Sequence, residues 1–266
     1  MASFDTIVTE NGHALKRKGV DPVVKKRHPI RSAIFALLVF ILCAVVTVGA
    51  FFGIKGYNMY QEAVAVLPLS ERIEEIQNEA HFTRISQLPD FYIDAVVSVE
   101  DHRFWDHCGI DPIAIARAVW TDLKTMSFQE GGSTITQQLV KNMLFTQDKK
   151  LERKFAEVFA AFAVEKQCSK EEIFELYVNT AYFGSNYYGI YEAAAGYFGK
   201  LPSELTDYEA ATLAGLPNAP SVYSPDANAV LAEQRLNQVL RSMVKHEYIS
   251  QEEANHIGSS HNSDET

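Results

Sequence analysis

Along the chain, apolar and polar positions fall into three regimes. Residues 32–54 are 23 consecutive positions without a charge, rich in Leu, Val, Ile, Phe and Ala. At 1.5 Å rise per residue a helix of that length measures roughly 34 Å, enough to cross a hydrocarbon core with some tilt. Residues 55–83 bring the charges back, with Glu71, Glu74, Glu75 and Glu79 interleaved with Ile73 and Ile76, the pattern of a helical stalk. From residue 84 apolar positions recur at helical spacing, most clearly over 155–164, 173–178 and 227–244. Three capping boxes punctuate these runs, pairing Ser169 with Glu172, Thr206 with Glu209 and Ser250 with Glu253. Alternating β patterns are scarce. The expectation is a mostly α domain over 84–250, preceded by one apolar helix and followed by a tail over 251–266 that frays from residue 258.

Charge adds an address. The net charge is −10, from 24 Lys+Arg against 34 Asp+Glu. Residues 1–31 hold seven of the cations (Lys16, Arg17, Lys18, Lys25, Lys26, Arg27, Arg31) and three acids, Asp5, Glu10 and Asp21, so the rest of the chain is net −14. That balance argues against nucleic acid as a partner of the main domain. A basic cluster ahead of an apolar run predicts a cytoplasmic tail over 1–31, a transmembrane helix over 32–54 and an extracytoplasmic domain. A cleaved signal peptide is the competing reading, with small residues at Val48-Gly49-Ala50, but the apolar core is long and the leader extended for one. Cys43 lies in the apolar run, and spacing leaves open whether Cys108 and Cys168 pair.

Candidate chemistry is gathered in four stretches. The first, residues 100–109, holds Glu100, Asp101, Phe104 and His107 and follows the apolar residues 95–99. Its leading carboxylate passes from an apolar segment to a polar one, a boundary where partial desolvation suits proton transfer. A helix would put Glu100, Phe104 and His107 on one face, while a helix end with solvated charges explains the same residues. The second, residues 130–142, leads two glycines into a helix start, and Thr134, Gln138 and Lys141 then recur at i, i+4 and i+7. Thr134 also fits an N-cap with Gln137 completing the box, and no Gly-Lys-Ser/Thr closes a Walker-type loop. The third sets Arg153 and Lys154 four and three residues before Glu157, either a surface ion pair or two cations for a diphosphate. The fourth, residues 170–179, reads as a packing helix ending in Asn179. No His pair has zinc-ligand spacing.

In this order and spacing the four stretches resemble the peptidoglycan glycosyltransferase family, family 51 of the glycosyltransferases. The first motif of that family, E-D-x-x-F-x-x-H-x-G, is matched by Glu100, Asp101, Phe104, His107 and Gly109. The second, G-x-S-T-x-T-Q-Q, is matched by residues 131–138, continued by Lys141 and Asn142. R-K-x-x-E is met by Arg153, Lys154 and Glu157, and K-x-x-I-x-E-x-Y-x-N by residues 170–179. The fifth motif departs: the family opens it with two arginines, and here Gln234 precedes Arg235. That change is expected to touch packing more than chemistry. The resemblance covers roughly residues 84–245.

The resemblance implies a lysozyme-like, bilobed domain that polymerises lipid II on the outer face of a bacterial membrane. A lipid-linked glycan chain would be the donor and the 4-hydroxyl of the incoming N-acetylglucosamine the acceptor. The bond made is β-1,4, the anomeric centre inverts, and undecaprenyl diphosphate leaves. Glu100 would be the general base, and Glu157 would position the acceptor or stabilise the transition state. Lys141, Arg153 and Lys154 would neutralise the departing diphosphate. Asp101, Phe104, His107, Thr134, Gln138 and Asn142 would complete the substrate-binding set. No cofactor is required by this scheme, although Mg²⁺ or Mn²⁺ suits diphosphate oxygens, with Glu100 and Asp101 as candidate ligands. Expected partners are the two lipid-linked substrates, membrane lipids and other cell-wall synthesis and division proteins. Residues 110–128, with Ile113, Ala116, Val119, Trp120 and Leu123 at helical spacing, either dip into lipid or form a buried core helix. Ser242 and Lys245 match a transpeptidase S-x-x-K spacing without its companion elements, so the expectation is a monofunctional enzyme. The rival readings are a glycan hydrolase, which needs no diphosphate-binding cations, and a non-catalytic scaffold, in which Glu100 and Glu157 would be dispensable.

Overall fold

The computed structural model describes residues 29–125, 132–145 and 150–260, and within them the side chains of all but 29–32, 122, 123 and 125. In chain order the helices are α1 (Pro29–Val66), α2 (Leu69–Gln77), α3 (Asp90–Glu100), α4 (Pro112–Thr125), α5 (Ile135–Leu144) and α6 (Leu151–Glu165). They continue with α7 (Lys170–Thr180), α8 (Ile190–Phe198), α9 (Asp207–Gly215), α10 (Pro220–Tyr223), α11 (Ala229–Lys245) and α12 (Gln251–Ser260). Among the described residues the β pairing is a single isolated bridge between Tyr182 and Tyr188. The mostly α expectation, with one apolar helix in front, is met.

Two compact units are distinguished, Met1–Val48 and Gly49–Thr266. In the first, Phe35, Leu38, Phe40, Leu42 and Val45 are all exposed. The stretch Ala33–Val66 is long and apolar enough to cross a membrane, and its most apolar window has no buried residue, unlike a core helix of a soluble domain. Helix α1 runs on without a break to Val66, past the expected end of the span at residue 54.

In the second unit the end of α1 lies on α6. Gly56 permits the approach: a Cβ there would sit 2.5 Å from the Cβ of Phe155 and 2.8 Å from the backbone nitrogen of Ala156. Phe52 stacks on Phe155, Tyr57 meets Phe159 edge-on, and Lys55 pairs with Glu152 at 3.3 Å. The remaining stalk is α2, whose Leu69, Ile73 and Ile76 are buried while Glu71, Glu74 and Glu75 face outward. Its amphipathic pattern therefore seats it on the domain, against α7.

Two helix groups build the core. α3, α9 and α11 pack together, and α5 packs on α6 and α7. Tyr92, Val97, Leu139, Phe174, Leu213 and Val239 are essentially inaccessible, each contributing about 1.5–3 kcal/mol through burial. The three expected capping boxes all form, at Ser169, Thr206 and Ser250. The last of them corrects the tail expectation. It starts α12, which packs on α11 and buries Ala254 and Ile257. A cap followed by apolar residues three apart is a docked helix, and α12 extends to Ser260.

The fourth motif serves packing, as expected. Glu175 accepts hydrogen bonds from the Ile85 N–H (2.9 Å) and Arg84 (3.2 Å). Asn179 accepts from the Thr83 N–H at 2.8 Å and donates to the Thr83 carbonyl at 2.9 Å. Together they clamp the strand of chain that enters α3 from α2.

Candidate active site

Glu100 is the last residue of α3, because Asp101 leaves the helical region with φ −160° and ψ 74°. The first motif is therefore a helix end and turn, the second of the two readings open from sequence, and Glu100, Phe104 and His107 share no helical face. A carboxylate at a helix C-terminus faces unpaired carbonyls and needs compensating donors. Glu100 has two: Gln138 Nε2 donates to Oε2 at 2.8 Å, and Arg235 Nη2 lies 3.2 Å from Oε1. With a side chain only 6% exposed, Glu100 is desolvated as expected, but its wall is an amide and a guanidinium instead of an apolar surface. The reason is tertiary: α5 and α11 deliver both groups from remote sequence.

Asp101 turns the other way. It accepts from His107 Nε2 at 2.9 Å and from the Ile135 N–H at 3.0 Å, in the first turn of α5, where the helix dipole favours a negative charge. Thr134 caps the same helix, accepting from the Gln137 N–H, and donates its hydroxyl to the Gly109 carbonyl at 2.7 Å. Gly109 has φ +82° and its missing Cβ faces Ala161 at 3.2 Å, so a glycine is required at that turn. Phe104 is fully buried, beside Trp105, His107 and Phe174, with the Lys170 ammonium 4.6 Å from its ring centre. Phe104 and His107 are thus supports of Asp101 and the core, not cleft walls, which corrects their assignment to substrate binding. As metal ligands, Glu100 and Asp101 are each already engaged by separate partners. Among the described residues no group of three His, Cys, Asp or Glu gathers as a metal site.

Glu157 is the second buried carboxylate, with a side chain 2% exposed. Arg153 Nε lies 3.1 Å from Oε1, and Lys154 Nζ donates to Oε2 at 2.8 Å and to Ser133 Oγ at 2.6 Å. The i, i+4 and i, i+3 spacing on α6 does face all three together, as expected. Lys141 lies within the fields of both carboxylates. Burial pushes its ammonium below the usual lysine range; Glu157 opposes that shift, Arg153 and Lys154 add to it, and Glu100 opposes it. No hydrogen-bond or ion-pair partner holds Lys141 among the described residues. Asn142, one residue on, is rotated by about 100° around α5. Its amide reaches the Thr180 carbonyl at 3.4 Å, so it ties α5 to α7 and lies outside the cleft.

These groups surround a cleft of about 780 Å³, lined among others by Glu100, Thr134, Gln138, Lys141 and Arg235. Glu157 and its cations sit behind Ser133, which is on the lining. Glu130 and Gly131 of the second motif lie outside the described residues. Among the cleft residues that sequence did not single out for chemistry are the cations Arg235, Arg117 and Lys245. Arg235 is 11% exposed, donates to the Gly215 carbonyl at 2.9 Å and Gln238 at 3.1 Å, and reaches Glu100 across 135 residues of chain. Its place in the fifth motif was the available signal; the packing expectation there concerned the neighbouring Gln234. Arg117 belongs to α4, part of the 110–128 segment, of which residues 126–128 and the side chain of Leu123 lie outside the described residues. Ile113 (64%), Val119 (54%) and Trp120 (71%) are exposed, so α4 is no buried core helix. Its first turn is fixed by Asp111, which accepts from the Ile113 and Ala114 N–H groups and from Arg103.

Comparison with known proteins adds a family. The transglycosylase family model matches residues 69–244. Penicillin-binding protein 1A of Aquifex aeolicus (strain VF5) is 45% identical over 172 residues, covering 65% of this chain and 24% of that protein. Penicillin-binding protein 1A of Vibrio cholerae is 43% identical over 170 residues, 64% of this chain and 21% of that one. Penicillin-binding protein 1A/1B of Bacillus subtilis is 44% identical over 175 residues, 65% and 19% respectively. The chain thus matches about a quarter or less of the length of these relatives.

Proposed function

Because the chain belongs to the transglycosylase family, we propose that it is a peptidoglycan glycosyltransferase that polymerises lipid II into β-1,4 glycan. The observation that carries this reading is the pairing of two buried carboxylates, Glu100 and Glu157, with a partly buried lysine that has no hydrogen-bond or ion-pair partner among the described residues. A carboxylate oxygen keeps a second lone pair when it accepts one hydrogen bond. Glu100, oriented by Gln138 and Arg235, can therefore take the proton of the acceptor 4-hydroxyl as that oxygen attacks the donor anomeric carbon. The bond from that carbon to the diphosphate oxygen breaks, the lipid diphosphate leaves with the electron pair, and configuration inverts without a sugar–enzyme bond. Lys141 meets the charge that develops on the leaving oxygens, with Arg153 and Lys154 behind it. A cation that is buried and uncommitted interacts more strongly with a new anion than one in water. A glycan hydrolase has no use for this cation set.

The apolar part of α1 would hold the chain in the membrane, with the basic residues 16–31 on the cytoplasmic side and the cleft outside. The exposed apolar side chains of α4 would meet lipid beside the cleft, where a lipid-linked substrate must enter. Mg²⁺ or Mn²⁺, for which Glu100 and Asp101 are the candidate holders, would supply charge neutralisation to the diphosphate, and titration of activity with chelator tests that dependence.

The deciding experiment is polymerisation of labelled lipid II by the detergent-solubilised chain, with Glu100→Gln alongside. Long glycan from the wild type and none from the variant is the expected result. Release of fragments from preformed glycan, with no polymer, would make the chain a hydrolase. Neither activity would leave a scaffold.

A further inference from the structure

The guanidinium that holds Glu100 is itself seated by three other groups. Gly215 is the last residue of α9, and its carbonyl accepts from Arg235 Nε at 2.9 Å. A cation at that place also meets the negative end of the helix dipole. The Tyr223 ring of α10 lies with its centre 5.7 Å from Arg235 Cζ, and Gln238 Oε1 accepts from Nη1 at 3.1 Å. Nη2 is left to reach Glu100 Oε1 at 3.2 Å.

Residue 215 is where the seat is tightest. A Cβ there would lie 2.9 Å from Arg235 Cγ, 3.2 Å from Val239 Cγ2 and 3.5 Å from Arg235 Nε. The first of these is closer than packed carbons come, and it falls at the root of the arginine stem, not at its mobile end. The backbone does not ask for glycine at this position. Its φ of −79° and ψ of −22° are right-handed helical values that any residue adopts. Alanine is the better helix former, and α9 uses it at residues 210, 211 and 214. What residue 215 lacks is room, and Arg235 occupies it.

We propose that Gly215 is a positioning residue for the base: the missing side chain at the end of α9 sets the Arg235 guanidinium against Glu100. The reading of Glu100 as base rests on the proposed polymerisation; the seat of Arg235 does not. A methyl group at residue 215 drives the arginine stem away from α9. A planar fork fitted to the Gly215 carbonyl, Gln238 and Glu100 cannot keep all three once its root has moved. Among the described residues Arg235 is the cation in ion-pair contact with Glu100. Lys141 from α5 and the Tyr177 hydroxyl from α7 interact with that carboxylate through their fields, and Asp101 adjoins it in the chain.

The test is Gly215→Ala in the full chain, read by lipid II polymerisation and by thermal melting. With KM for lipid II little changed, kcat should fall by about tenfold to 100-fold, the scale of loss when a catalytic group is displaced by up to about 1 Å. The acid limb of the pH profile of kcat/KM should move to higher pH, because the base has lost its neighbouring cation. Loss of folded enzyme alone would scale the profile without moving it. Melting separates the clash from the chemistry. In a Glu100→Gln/Arg235→Ala background no charge is stranded and the Cγ that the new methyl would strike is absent. Gly215→Ala should therefore lower the melting temperature of the wild type clearly more than that of this background, where only the Val239 contact remains. If Gly215→Ala unfolds the wild type, its folding in the background supports the same clash. An equal change in both backgrounds, none included, or failure to fold in both, would overturn the proposal, as would an unmoved pH profile with kcat near that of the wild type. The expected melting results with no polymer from wild type would keep the Arg235 seat and reject Glu100 as the base of a polymerase.

Discussion

The two buried carboxylates of the cleft are held in opposite ways. Glu157 takes its cations from the same helix, three and four residues back, so any folded α6 presents the trio ready-made. Glu100 takes its partners from α5 and α11, 38 and 135 residues away, and its arrangement exists only once three helices have met. Glu157 also has two cations and Glu100 has one. The difference teaches that one carboxylate is buffered against loss of a partner and the other is not. It fits the proposed division of labour: Glu157 holds its two cations in place, while Glu100 must exchange a proton with a substrate.

That contrast can be broken from the Glu100 side first. Glu100→Gln keeps the shape and the Gln138 neighbour, and polymerisation should fall by about 100-fold or more, the usual worth of a general base. A smaller loss in a lipid II assay would move the base elsewhere. Arg235→Gln should be the costliest change to the fold, since it strands a 6%-exposed carboxylate: about 3–5 kcal/mol by denaturant melting. Arg153→Gln leaves Lys154 on Glu157 and should cost well under half of that, and equal costs would erase the distinction drawn here. Gly56→Val drives a side chain into the backbone of α6 and should destabilise by about 1–3 kcal/mol, reducing activity through Arg153, Lys154 and Glu157 while leaving Glu100 in place.

Smaller effects sharpen the picture at the cleft rim. His246 titrates near 4 in the folded chain against 6.5 in the free side chain, because burial, His102, Lys245 and Arg117 all disfavour its cation. The unfolded chain therefore binds more protons between those values, so stability is full above pH 6.5 and falls as pH drops toward 4. His246→Gln should flatten that decline in a melting-temperature profile, and an unchanged slope would assign it to other groups. Gln234→Arg, which restores the family's residue at an exposed position, should change stability by less than about 0.5 kcal/mol.

Much of this was legible along the chain because it depends on near neighbours. Helical spacing, capping residues and an uncharged run of 23 residues gave the mostly α domain and the apolar helix, since each reports hydrogen bonds or side-chain faces within one turn or one span. The Arg153, Lys154 and Glu157 trio and the Thr134 cap belong to the same class. What depends on where helices meet was not legible. Phe104 and His107 carry family-matching positions, yet burial assigns them to supporting Asp101. Residue 251 onward read as a tail, yet the face bearing Ala254 and Ile257 found α11. Arg235 was matched to the fifth motif with no role given to it, and only the crossing of α3 and α11 set its guanidinium against Glu100. The sequence by itself determined which residues could carry chemistry and which helices would form, through forces that act within a few residues. Tertiary structure alone decided which carboxylate met which cation, because burial removes water as a partner and leaves each charge to what the packing brings within about 3 Å.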